Sequence, residues 1–163
     1  MANTQAMCTS FMQQLMVGEH QLGTATLVSR TSLTAPTTDT LKAALYLTTA
    51  TVNAATTAYS ASNEVSGTNY IAGGVTVTNA TAPNSTNTTA TAGVAFFTPS
   101  ASITYTTVTL STAFDAVLIY NSTQSNKAIS VHTFGSQTVT AGTFTLTMPS
   151  NTTSTALIRL ATT

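Results

Sequence analysis

A chain of 163 residues that carries only eight Asp, Glu, Lys and Arg side chains cannot build its surface from charge. The charged fraction is 5%, against about 25% in ordinary soluble domains. The eight are Glu19, Arg30, Asp39, Lys42, Glu64, Asp115, Lys127 and Arg159, and residues 65–114 and 128–158 hold none. Threonine, about a quarter of the chain, fills the deficit. It is β-branched, stiff at χ1 and suited to a pleated surface, and it solvates the outer face of a strand without a charge. The composition therefore points to a β-protein with threonine-coated faces. A mucin-like stalk is the other home of Thr/Ser richness, but here apolar residues alternate with the threonines and four prolines are too few for it.

With 42% hydrophobic residues and a mean hydropathy of +0.22, the chain has the material for one real core. A formal net charge of zero and a pI near 6.7 argue against binding nucleic acid or an anionic membrane through a basic patch. No apolar run approaches the ~20 residues needed to span a bilayer. Residues 1–9 lack the basic and apolar regions of a secretory signal. Cys8 stands alone, so no intrachain disulfide forms; the chain suits synthesis in a reducing cytoplasm, and Cys8 reads as a small buried hydrophobe.

Residues 9–18 read as the one helix, with Thr9 or Ser10 as cap, Phe11 and Leu15 beside Met12 and Met16 on an apolar face, and Gly18 as terminator. The helix packs on the domain's own core or docks on a partner. Residues 25–29 and 41–47 read as strands, and 52–69 as a polar turn region anchored by Tyr59 and Val65. Strict alternation at 75–78 gives another strand, and 79–93, from Asn79 to Gly93, an exposed loop. Strands follow at 103–110, with a bulge at Thr106 and Thr107, and at 116–120, 128–134, 138–140, 144–148 and 156–160; Ala141-Gly142 reads as a hairpin turn. Eight to ten short strands imply an all-β fold: an antiparallel β-sandwich, jelly-roll-like, with one short N-terminal helix, in a single domain over 1–163 whose segment 1–22 is the helical arm.

The residues offer little chemistry. Asp115 and His132 with a serine would be needed for a triad, but no G-x-S-x-G elbow exists and His132 lies mid-strand as a structural hydrogen-bonder. Glu19, Asp39, Glu64 and Asp115 show no paired-carboxylate spacing. One cysteine and two distant histidines do not make a metal site, and His20 beside Glu19 reads as solvated or capping. The expectation is no catalytic residue, no cofactor and no metal. Sequons at Asn79, Asn84, Asn87, Asn121 and Asn151 are expected by chance at this threonine content. Monomeric β-proteins guard strand edges with Lys, Pro and inward charges. This chain has almost none, which predicts that its edges are covered by copies of itself or by a scaffold.

The segments MANTQAMCTSF at 1–11, LKAALYL at 41–47, EVSGTNYIAGG at 64–74, AVLIYNS at 116–122 and TVTAGTF at 138–144 together resemble a family of small virion structural proteins of tailed phages, cyanophages among them. Such proteins are similar to capsid decoration, or cement, proteins. The resemblance implies a homotrimer on the outer capsid surface, bound to the major capsid protein, made in the host cytoplasm and acting mechanically. The alternative is a tail, collar or fibre component, in which Asn/Thr/Ser-rich loops with Tyr59, Tyr70 and Tyr105 engage a host-surface glycan.

Overall fold

In a computed structural model, residues 2–24, 38–86 and 93–161 are described. They form β1 (Ala6–Met7), α1 (Thr9–Met16), β2 (Leu41–Leu47), β3 (Val75–Thr76), β4 (Asn84–Thr86), β5 (Val94–Phe97), β6 (Ile103–Asn121), β7 (Lys127–Leu146) and β8 (Ile158–Ala161). All pairings are antiparallel, in a five-stranded sheet ordered β1-β7-β6-β2-β3 and a three-stranded sheet ordered β4-β5-β8. The fold is mostly β and sandwich-like with one short helix, as the composition predicts. No described helix is long and apolar enough to cross a membrane.

Eight strands lie among the described residues, but β1, β4 and β5 are not among those expected and the expected strand lengths do not hold. The runs at 103–110 and 116–120 are one continuous strand of 19 residues, and those at 128–134, 138–140 and 144–148 merge into one of 20 that ends at Leu146. Ala141-Gly142 is no hairpin turn. Ala141 has φ 46° inside β7, next to a register shift, so it marks a bulge within the strand. The bulge expected at Thr106-Thr107 is there, with Thr107 at φ 54° and the register shifting between Tyr105 and Val108.

These irregularities fold the long β6–β7 hairpin double. Fully extended, Phe134 and Phe144 would stand roughly 33 Å apart on β7, yet their ring centroids are 5.3 Å apart. Phe114 of β6 meets both rings edge-on, at 5.9 and 5.0 Å. Tyr105 gives the same result independently. Its hydroxyl donates to the carbonyl of Ala43 at 2.8 Å, and Ala43 pairs with Ile119, fourteen positions further along β6. One arm of the hairpin (β6 near 114–121, β7 near 127–134) thus lies in a sheet with β2, and the other (β6 near 103–110, β7 near 139–146) packs back over it. Strands that change layer through bulges are a known way to make a sandwich corner.

The core between the arms holds Leu41, Ala43, Leu45, Tyr105, Val108, Leu110, Phe114, Leu118 and Ile129, each at most 2% exposed. The run at 116–120 is buried throughout because it lies between β2 and β7. The segment after β2 closes the free edge of that strand: Leu47 N–H donates to Asn63 O, Val65 N–H to Leu45 O and Val77 N–H to Leu41 O. It also reaches the upper arm, where Thr68 and Thr109 exchange both backbone hydrogen bonds at 3.1 Å. Gly74 makes the close crossing possible. At φ 72°, a Cβ there would lie 1.7 Å from the Ala43 carbonyl oxygen.

Helix α1 starts from Cys8 in extended conformation without a side-chain cap, so neither Thr9 nor Ser10 plays the expected role. The N–H of Cys8 instead donates to Ile129 O, tying the helix start to β7. Gly18 ends the turn at φ 76° as expected. The helix packs Phe11 into the core and leaves Met12 and Met16 exposed. The expected loop at 79–93 contains β4, whose Asn84, Ser85 and Thr86 pair with Phe96, Ala95 and Val94. The expected strand at 25–29 and residues 87–92 of that loop lie outside the described residues.

Phe114→Ala is expected to cost about 3–5 kcal/mol in urea unfolding, the range for truncating a buried aromatic, whereas Thr145→Ala on the exposed face stays within about 0.5 kcal/mol.

Candidate functional site

Two buried polar clusters hold most of the chain's ionisable groups. The first is centred on Glu64, 9% exposed. Its carboxylate accepts the Tyr59 hydroxyl at 2.6 Å, the Tyr70 hydroxyl at 2.8 Å and the Gly73 N–H at 2.7 Å. The Tyr120 hydroxyl donates to the Gly73 carbonyl at 2.8 Å, that of Tyr46 donates to Ser60 O, and Tyr70 Oη accepts from Leu45 N–H at 3.0 Å. With Tyr105 on Ala43, every tyrosine hydroxyl of the chain has an internal acceptor. The rings pair as well: Tyr59 stacks on Tyr120 and Tyr70 on Tyr105. Burial first, and then the nearby Glu64 charge, raises the pKa of these phenols; Tyr46 is pushed up to about 12. They are hydrogen-bond donors at any ordinary pH.

The second cluster pins the helical arm to the β6–β7 turn. Asp39, 4% exposed, accepts Gln21 N–H at 2.8 Å and Asn121 Nδ2 at 2.6 Å, with Gln124 Nε2 at 3.3 Å. Asn121 Nδ2 also reaches His20 Nδ1 at 2.9 Å, and His20 Nε2 meets Gln14 Oε1 at 2.8 Å. Since an amide NH2 can only donate, Nδ1 is the acceptor and the imidazole carries its proton on Nε2, facing the Gln14 carbonyl oxygen. His20 is therefore a half-buried link in a hydrogen-bond chain and not the solvated or capping residue its sequence position suggests. Burial lowers its pKa, with the charges of Asp39 and Glu19 pulling the other way. Lys127 and Glu19 close the cluster as an ion pair.

The remaining groups named from sequence stay apart. Asp115 accepts from Asn3 Nδ2 at 2.6 Å, which fastens the N-terminal segment to β6. His132 meets Ser130 Oγ at 2.9 Å, and no described carboxylate bonds to its ring. Burial drives its pKa down to about 4. No group of three His, Cys, Asp or Glu among the described residues is placed to hold a metal ion. The three tyrosines expected to stack on glycans are turned inward, Tyr105 with 2% exposure. Sequence spacing could not reveal the Glu64 cage, because its members are scattered from Tyr46 to Tyr120.

Apart from exposed Arg159, what lies open is mostly uncharged, and part of it is apolar. Met16 is 82% exposed, Val17 61% and Ile71 71%, with Met12 and Leu160 also exposed. Beside the helix runs a groove of about 210 Å3 between Leu15, Leu22, Phe96, Phe97, Ile158 and Leu160. Comparison with protein-family models, with curated proteins and with solved structures finds no match to this chain.

Glu64→Ala leaves two buried hydroxyls and one N–H without an acceptor, and is expected to lower stability by about 3 kcal/mol or more in urea unfolding. The histidines set a pH dependence. The folded-state pKa of His132 lies below its unfolded value, so the unfolded chain binds the extra proton and stability falls as pH drops below about 6.5 towards 4. Between pH 7.5 and 5.0 the loss from His132 is about 2 kcal/mol. His20 acts in the same direction, and His132→Asn flattens the measured slope.

Proposed function

We propose that this chain is a non-enzymatic structural protein of a tailed-phage particle, a decoration or cement protein seated on the outer surface of the head. Its partners under this reading are copies of itself, in the trimer that the resemblance implies, and the major capsid protein. The resemblance of five segments of the chain to small virion proteins supports the family. The observation that carries the role is the distribution of polar chemistry. The clusters around Glu64 and Asp39 hold loops and helix in place, while the outer face carries little charge beyond Arg159, is threonine-coated and is interrupted by exposed Met12, Met16, Val17 and Leu160. Such a surface attaches through buried area and multivalency rather than through charge pairing, and many weak copies on a regular shell add up to firm binding. The internal hydrogen bonds of Tyr59, Tyr70 and Tyr105 favour this reading over a glycan-binding tail or fibre component.

Quantitative mass spectrometry of purified virions tests the reading. Hundreds of copies per particle are expected; a dozen or fewer would move the protein to the tail or neck and overturn the capsid assignment.

A further inference from the structure

The second long strand of the hairpin has one side without a partner. From residue 132 to residue 147 every described backbone hydrogen bond of β7 runs to β6, and β1 covers the other edge of β7 only at Ser130 and Val131. The edge is interrupted by the bulge at Ala141 and becomes regular again beyond it, where Phe144, Thr145 and Leu146 pair with Tyr105, Thr104 and Ile103. It stops at Pro149. An edge of this kind is a template for another strand unless it is guarded by charge, proline or a covering element. Here residues 128–158 contain no Asp, Glu, Lys or Arg, and no described helix or strand covers residues 142–148.

A second observation lies along the same edge. Val139, Phe144, Leu146 and Met148 are half-buried, packed against the core on one side and open on the other, while Thr143, Thr145 and Thr147 face solvent. The flank of the core is therefore exposed at the place where the backbone is unpaired. A strand added here would satisfy the free N–H and C=O groups and cover the apolar row in one step.

We propose that residues 142–146 of β7 pair antiparallel with the same residues of a second copy, about a twofold axis at Phe144. The choice of occupant follows from charge and register. A partner strand bearing charges would bury them beside a neutral edge with no counter-charge, whereas an identical strand brings none. Centred on Phe144, the register sets Phe144 against Phe144, Thr143 against Thr145 of the partner subunit, and Gly142 against Leu146 of the partner subunit. Aromatic–aromatic and Thr–Thr are favourable cross-strand pairs. The contact is isologous, hence closed after two copies. It deepens the self-association proposed above and is separate from a threefold contact, two trimers being joined wherever both exist.

The test is a charge swap on the full chain. Thr143→Lys with Thr145→Lys sets lysine against lysine twice across the axis, on side chains that face solvent within one copy. Light scattering is expected to give a variant of half the wild-type mass, with unchanged circular dichroism and a dissociation constant about a hundredfold higher. Mixing it with the Thr143→Glu, Thr145→Glu variant is expected to restore the wild-type mass. Amide hydrogen exchange on the wild type needs no variant: dilution is expected to speed exchange at 142–146 while Ile129 and Val131 stay protected. A wild type that is monomeric at all concentrations, a mass unmoved by the lysines, or exchange at 142–146 independent of dilution overturns the proposal. A low copy number in virions would overturn the capsid reading and leave this contact standing.

Discussion

Phe114 lies where the two arms of the folded hairpin meet, in T-shaped contact with both Phe134 and Phe144. Both partners belong to the same strand, so this cluster is what converts one long hairpin into two layers. Everything else follows from that bend. The lower arm supplies the sheet on which β2 lies, the upper arm brings Tyr105 over Ala43, and the segment between β2 and β3 then has two surfaces to bridge. The bulges at Thr107 and Ala141 are the geometric means, and the aromatic contacts hold the bend closed.

A protein with so few charges has to secure its loops by other means, and although Glu19 pairs with Lys127, the carboxylates of Asp39, Glu64 and Asp115 act as acceptors for uncharged donors. Glu64 gathers donors from three points of the loop that crosses β2. Asp39 gathers them from the helical arm and from the β6–β7 turn. A charged acceptor makes stronger hydrogen bonds than a neutral one, and more so away from water. In this way a handful of acidic residues fixes most of the irregular structure, and the exterior is left almost uncharged.

The β character and threonine-coated faces could be read directly, because strand preference and alternation are local properties. The buried run at 116–120, the helix terminator Gly18, the buried Cys8 and the bulge at Thr107 were legible for the same reason. The failures have a common cause. Ala141-Gly142 carries turn residues, yet whether a left-handed residue makes a turn or a bulge depends on what lies across the strand, here Val108 and Leu110 of β6. Two strands joined through a bulge look in sequence like separate strands. The helix start at Cys8 and the pairing of Asn84 with Phe96 likewise depend on distant segments. The tyrosine cage was hidden altogether: Tyr59 and Tyr70 sit in polar, turn-like sequence, and only the fold directs their hydroxyls at Glu64.

The pairing of β1 with β7 has a consequence for how the chain reaches this state. Ala6 lies opposite Val131, and Cys8 donates to Ile129, so β1 has no strand to pair with until the turn end of the β6–β7 hairpin exists, although Thr4 and Thr9 also donate to Val52 and Ala54. An eight-residue helix is not stable by itself in water. During synthesis, β1 therefore waits more than a hundred residues for the strand it pairs with. The hairpin forms from neighbouring residues around the 122–126 turn, and the β1–β7 pairing is among the last contacts to settle.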